Sequence, residues 1–163
     1  MIVFDSSTLI LLARIELLRL FISDFRGKVV IPEAVRTELF RQQKEETPFL
    51  YRLINDKDIQ VLSVKDDRQI DKIIRDFNID RGEAEALTIA LQERASLIAT
   101  DDRNAIRACK LLNLDFTTAI AVLIRSFEKK IIDRNEALLK LQRLQSIGRY
   151  KRSIIEDARA RIL

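Results

Sequence analysis

Short apolar segments alternate with longer amphipathic segments along the chain. The apolar segments predict strands at residues 2–4, 28–31, 59–63 and 97–100, with a weaker fifth strand at 115–117. In a sheet with one solvated face, apolar and polar residues alternate along each strand. Because these segments do not show that alternation, they are typical of parallel strands buried on both sides.

Helical patterns occupy most of the chain between and after these strands. They predict helices at residues 9–12, 15–25, 102–112, 118–130, 133–147 and 153–163, and further helices that begin near Pro32, Asp66 and Asp80. Residues 42–48 are polar and predict a helix end or a loop. Strands that alternate with helices indicate an α/β fold in which helices cover both faces of a parallel sheet.

Composition narrows the class of protein. A length of 163 residues fits a single domain. No apolar run is long enough to span a membrane, and the N-terminus lacks the basic region of a signal peptide, so we expect a cytoplasmic protein. The only cysteine, Cys109, lies in an apolar helical stretch and predicts a buried thiol rather than a catalytic one.

Two aspartates directly follow predicted strands, and two glutamates interrupt apolar helical stretches. Asp5 ends the first apolar run and Asp101 ends the fourth, and ligands of open α/β sheets bind beyond the carboxyl ends of the strands. Glu38 and Glu85 are the helical acids. Because the chain has no histidine, a carboxylate site favours Mg²⁺ or Mn²⁺ and work on phosphate esters.

Four motifs surround these acids: VFDSS at residues 3–7, PEAVRTEL at 32–39, GEAEAL at 82–87 and ATDDR at 99–103. Together they closely resemble the PIN-domain family, and most nearly its VapC-like ribonuclease branch. The resemblance covers residues 1–130 and implies a three-layer α/β/α fold with a five-stranded parallel sheet in the order 3-2-1-4-5. Residues 131–163 are then a helical C-terminal extension of one domain that spans residues 1–163.

The resemblance also implies the site. Asp5, Glu38, Glu85 and Asp101 correspond to the catalytic acidic quartet that holds one or two Mg²⁺ or Mn²⁺ ions in PIN nucleases. Asp102 is a further candidate ligand, acting through a water. Glu83 is another, although its spacing from Asp80 predicts a capping box and ranks it below Glu85.

Capping offers an alternative for several of these acids. Asp5 fits an N-cap of the first helix as well as a metal ligand, and one of Asp101 and Asp102 is expected to cap the helix that follows them. Ser6, Ser7 and Thr100 are predicted to orient the carboxylates, with capping as the alternative for the serines.

Basic residues near the motifs are candidates for contact with RNA. Arg81, Arg103 and Arg107 flank the acids and are predicted to meet substrate phosphates, with solvated surface charge as the alternative. The segment 149–152 combines basic charge with one ring, Tyr150, that is able to stack on a base.

The function that the resemblance implies is metal-dependent endoribonuclease activity on single-stranded RNA, as the toxin of a toxin–antitoxin pair. The partners it implies are RNA, a small antitoxin protein and a second copy of the chain, with no membrane. One departure keeps an alternative open: residues 116–121 read FTTAIA, where VapC-like relatives often carry a glycine-rich segment. That alternative is a catalytically silent PIN-like module that only binds RNA.

Overall fold

A computed structural model describes residues 1–163 as five strands and ten helices. The strands are β1 (Ile2–Phe4), β2 (Val29–Pro32), β3 (Gln60–Leu62), β4 (Leu97–Ala99) and β5 (Phe116–Thr117). The helices are α1 (Ser6–Arg14), α2 (Leu18–Asp24), α3 (Glu33–Gln42), α4 (Thr47–Asn55), α5 (Asp67–Phe77), α6 (Arg81–Glu93), α7 (Arg103–Leu111), α8 (Ala119–Glu128), α9 (Arg134–Ile147) and α10 (Arg152–Ile162). None of the helices is both long enough and apolar enough to cross a membrane.

The strands form one parallel sheet in the order β3-β2-β1-β4-β5, which confirms the predicted fold. In the centre of the sheet Ile2 pairs with Leu97, and Phe4 pairs with Ala99. The chain therefore leaves β1 and β4 at the same edge of the sheet, where Asp5 and Asp101 follow.

Alternation along the central strands divides the core between the two faces of the sheet. Ile2 and Phe4 join a large cluster that also contains residues of α1, α3 and α4. Val3 and Ile98 point to the other face, where Val3 meets α6 and Ile98 lies with residues of α5, α6 and α7. This second face buries Cys109 completely, as predicted.

The C-terminal helices are part of the larger core. Leu141 and Leu144 of α9 and Ile155 and Ile162 of α10 are almost fully buried in the cluster that includes β1. Residues 131–163 are therefore held on the sheet by apolar packing, which also fixes the α9–α10 connection relative to the strand ends.

Two helix predictions differ from the structure. The helix predicted at residues 15–25 is shorter, because the chain turns at Glu16 with φ of 58° before α2 begins at Leu18. Helix α4 was not predicted, although Thr47 and Pro48 open it in a manner typical of a helix N-terminus. Leu50 and Leu53 anchor α4 in the core.

Candidate functional site

Asp5 is a buried carboxylate at the junction of β1 and α1. Its side chain is 1% exposed and caps α1 by accepting a hydrogen bond from the Thr8 backbone N–H at 3.2 Å. The same oxygen, Oδ1, accepts from the Ser7 hydroxyl at 2.7 Å, and Oδ2 accepts from the Thr100 hydroxyl. The capping role predicted for Asp5 is confirmed, and the cap leaves its second oxygen turned to β4.

Asp101 lies on the other side of the same network. Its Oδ1 accepts from the Thr8 hydroxyl at 2.6 Å and from the Ala119 backbone N–H at 3.0 Å, and its Oδ2 accepts from the Tyr150 hydroxyl. Its own backbone N–H donates to the Ser7 hydroxyl at 3.0 Å. Ser7 and Thr8, in the first turn of α1, therefore tie the two aspartates together.

Two further acids near the strand ends serve as helix caps. Asp102 accepts from the Ala105 backbone N–H at 2.9 Å and caps α7. Glu83 accepts from the Asp80 backbone N–H at 2.9 Å, while Asp80 accepts from the Glu83 backbone N–H at 2.8 Å. Both capping predictions are confirmed, and each cap places a further carboxyl group in this part of the molecule.

The charges of these acids are not balanced by cations. Burial, with a small contribution from the charge of Asp101, raises the pKa of Asp5 to about 7, although the hydrogen bonds from Thr100, Ser7 and Thr8 act in the opposite direction. Burial, followed by the charges of Asp80, Asp102 and Asp5, raises the pKa of Glu83 to about 8. No lysine or arginine forms an ion pair with Asp5, Glu83, Asp101 or Asp102. The four residues form the strand-end acidic group.

Glu38 and Glu85 line a separate cleft of about 600 Å³ between α3 and the N-terminal end of α6. Glu85 is buried but paired: it accepts from Arg81 Nε at 2.9 Å, and its other oxygen lies 3.4 Å from the Ala34 backbone N. Glu38 accepts from the side chain of Gln42 at 3.2 Å. The two residues form the cleft pair, in which Glu85 has a cationic partner and Glu38 accepts one hydrogen bond from a neutral amide.

The quartet expected from the sequence is thus divided in this structure. The cleft that Glu38 and Glu85 line includes neither Asp5 nor Asp101. No three acidic or thiol side chains lie close enough together to enclose one metal ion. The structure joins the two aspartates through hydroxyl donors, and the charge of Asp5 acts on Glu83, whereas Glu85 is paired with Arg81.

The supporting residues fall into three groups. Ser7 and Thr100 donate to Asp5 as expected of orienting residues, whereas the Ser6 hydroxyl forms no hydrogen bond. Arg81 bridges Glu85 and Asp67, and hydrogen bonds to those two acids raise its pKa. Arg103 and Arg107 on α7 are exposed and form no ion pair, so both are free to meet an anion.

The sequence did not predict that the hydroxyls of Thr8 and Tyr150 donate hydrogen bonds to Asp101. Thr8 was open to prediction, because its position three residues after an N-cap places its N–H on the cap. Tyr150 gave no such signal, since it lies 49 residues from Asp101 and reaches it from the α9–α10 connection. Its hydroxyl is engaged and its ring packs against the core, which argues against the stacking role predicted for it. Burial and the Asp101 charge raise the pKa of Tyr150, so its hydroxyl stays protonated.

Comparison with known proteins identifies the fold family. The sequence profile of the PIN domain matches residues 1–162, which includes the C-terminal helices. No curated protein matches the sequence.

Proposed function

Because the chain belongs to the PIN-domain family, whose members share a nuclease-like fold, we propose that it is a metal-dependent endoribonuclease acting on single-stranded RNA. One observation carries the proposal: the strand-end acidic group has no cationic partner and lies where α/β sheets bind ligands. Buried carboxylates without a cationic partner cost free energy unless a bound cation or a proton compensates them.

The donor set fits Mg²⁺ or Mn²⁺. All candidate ligands are carboxylate oxygens, which both cations prefer. Asp5 and Asp101 would hold the cation, with Glu83 and Asp102 next because their charges reach the same place. A bound divalent cation would supply electrostatic stabilisation of the charge that develops on a phosphodiester during hydrolysis.

The protein's own groups orient these ligands. A carboxylate has about four acceptor positions, and hydrogen-bond donors fill three of those on Asp5 and three on Asp101. One acceptor position on each aspartate is left for another partner. Such ordering before a ligand arrives is how proteins position the ligands of a metal.

Glu38 and Glu85 are assigned a lesser part. Their cleft opens beside α6, and Arg41 on its wall is proposed as a contact for the backbone of an RNA strand, whereas Arg81 is occupied by Glu85 and Asp67. Arg103 and Arg107, which follow Asp102 on α7, are proposed as contacts for substrate phosphates because neither has an acidic partner.

The test is cleavage of a labelled single-stranded RNA with Mn²⁺, together with Mn²⁺ binding. We expect Asp5→Asn and Asp101→Asn to lower the cleavage rate at least about 100-fold and to weaken Mn²⁺ binding. Asp115→Asn is the matched control, because Asp115 is exposed and precedes β5, at the opposite end of the sheet. Unchanged cleavage by both aspartate variants would refute the proposed site.

A second candidate function is RNA binding without cleavage. It is favoured by the absence of three acids close enough to enclose an ion. This function predicts that RNA binds with equal affinity in Mn²⁺ and in EDTA, that Mn²⁺ leaves the melting temperature unchanged, and that no RNA is cut. A rise in melting temperature with Mn²⁺ that Asp5→Asn abolishes would decide for the nuclease.

The biological setting that we propose is a toxin–antitoxin pair in the cytoplasm. A small antitoxin would mask the site by placing an arginine among the unpaired acids, which offer it charge-assisted hydrogen bonds. Co-expression with the protein encoded by the adjacent gene, followed by purification, tests this role. Recovery of the chain alone and free of toxicity would contradict it.

A further inference from the structure

One side chain of the α9–α10 connection contacts the strand-end acidic group. Tyr150 lies between Ile147, the last residue of α9, and Arg152, the first of α10, and its hydroxyl donates to Asp101 Oδ2. It is the only residue of these two helices and their connection that forms a hydrogen bond with any of the four acids.

Gly148 makes room for the Tyr150 ring. A Cβ atom at position 148 would lie 2.7 Å from Cε2 of Tyr150 and 2.9 Å from the Leu144 carbonyl oxygen. The backbone of Gly148, with φ of −95° and ψ of 166°, is open to any residue, so the glycine is required for space rather than for conformation. The end of α9 is therefore shaped around this ring.

The Tyr150 hydrogen bond decides how Asp101 meets a ligand. Thr8 and Ala119 both donate to Oδ1, which fills the two acceptor positions of that oxygen. Tyr150 is the only donor to Oδ2 and leaves one position there. Without its hydroxyl, nothing would hold the plane of the carboxylate from the Oδ2 side.

We propose that Tyr150 is a positioning residue for Asp101, which presents the remaining Oδ2 acceptor position to a divalent cation. This inference rests on the proposed function, because it gives the C-terminal helices a part in the metal site. It extends the site beyond the four motifs to a segment whose sequence carries no acid.

The experiment compares Tyr150→Phe with Tyr51→Phe by calorimetric titration with Mn²⁺. Phenylalanine keeps the ring and removes only the hydroxyl. Tyr51 is the only other tyrosine, is 54% exposed, packs against Phe40 with the two rings tilted by 55°, and forms no hydrogen bond with any of the four acids, so it provides the matched control. We expect Tyr150→Phe to weaken Mn²⁺ binding about tenfold and Tyr51→Phe to leave it unchanged.

Spectroscopy supplies a readout that a purely structural role would not change. The chain has no tryptophan, so in the Tyr51→Phe protein the near-ultraviolet tyrosine absorption comes from Tyr150 alone. We expect Mn²⁺ to shift this absorption as the charge on Asp101 is neutralised. Gly148→Ala, which keeps the hydroxyl but displaces the ring, should weaken Mn²⁺ binding like Tyr150→Phe.

The outcomes separate this inference from the proposed function. If Asp101→Asn abolishes Mn²⁺ binding while Tyr150→Phe and Gly148→Ala bind as the unmodified chain does, Tyr150 is not a positioning residue although the metal site stands. If Asp101→Asn binds Mn²⁺ normally, the metal site itself fails and the inference fails with it.

Discussion

The strand-end acidic group and the cleft pair contain the same type of side chain in opposite electrostatic settings. Glu85 is almost fully buried, yet Arg81 neutralises it, and Glu38 beside it accepts one hydrogen bond, from Gln42. Asp5 is buried to a similar extent but receives only hydroxyl and backbone donors, which orient a charge without cancelling it. Burial alone therefore does not distinguish the two regions, whereas the lack of a counter-ion does, and that lack is why we propose the strand-end acidic group as the ligand site.

Replacing one glutamate in each region by neutral glutamine tests this distinction most strongly. We expect Glu83→Gln to weaken Mn²⁺ binding about tenfold and Glu85→Gln to weaken it less than about twofold, because the charge of Asp5 acts on Glu83, whereas Glu85 is paired with Arg81. Glutamine is able to keep the capping box with Asp80, so the N-terminus of α6 should stay intact. Calorimetric titration with Mn²⁺ measures both variants. A larger loss for Glu85→Gln would move the metal site into the cleft.

Arg81 neutralises Glu85, so removing its charge should leave the cleft pair without a counter-ion, like the strand-end acidic group. We expect Arg81→Gln to lower the free energy of unfolding by about 1 kcal/mol, since it leaves a buried carboxylate without its partner. Arg152→Gln is the matched control, because Arg152 and Glu156 form an i,i+4 pair with the same atoms at 2.8 Å but on the exposed surface. Urea unfolding of the two variants gives the difference.

Equal losses for Arg81→Gln and Arg152→Gln would mean that Glu85 is hydrated well enough to stand alone. The cleft pair would then be as free to hold a ligand as the strand-end group, and the contrast between the two regions would disappear.

The fold was predictable because its signals are local. Apolar runs located four strands, of which the edge strand β3 is only partly buried, and Asp5 and Asp80 predicted helix starts that the structure confirms. The sheet order came from the resemblance of four motifs rather than from any pattern within a strand. Helix α4 was missed because the polar residues before it conceal a start at Thr47 and Pro48.

Only the site residues at the strand ends had positions that were predictable from the sequence. Asp5 and Asp101 follow paired residues of neighbouring strands, so their proximity follows from the sheet. Whether Glu83 or Glu85 lies nearer to them depends on the rotation of α6 about its axis, and Gly82 lets α6 approach α3 closely, since a Cβ atom there would lie 3.2 Å from the Val35 side chain. The position of Tyr150 depends on the packing of α9 and α10. No short sequence motif encodes a contact between residues that far apart in the chain.

The smallest expected effect distinguishes the charge of Asp102 from its role as the N-cap of α7. Asp102 caps α7 as Asp66 caps α5, but only Asp102 adds its charge to the environment of Glu83. Asparagine caps helices about as well as aspartate, so Asp102→Asn and Asp66→Asn should both change the free energy of unfolding by less than about 0.5 kcal/mol. We expect Asp102→Asn alone to weaken Mn²⁺ binding, by about twofold to threefold, as one more charge is lost from the site. An equal loss in Asp66→Asn would show that Mn²⁺ responds to net charge in general, and no loss in either variant would leave Asp102 with its cap as its only role.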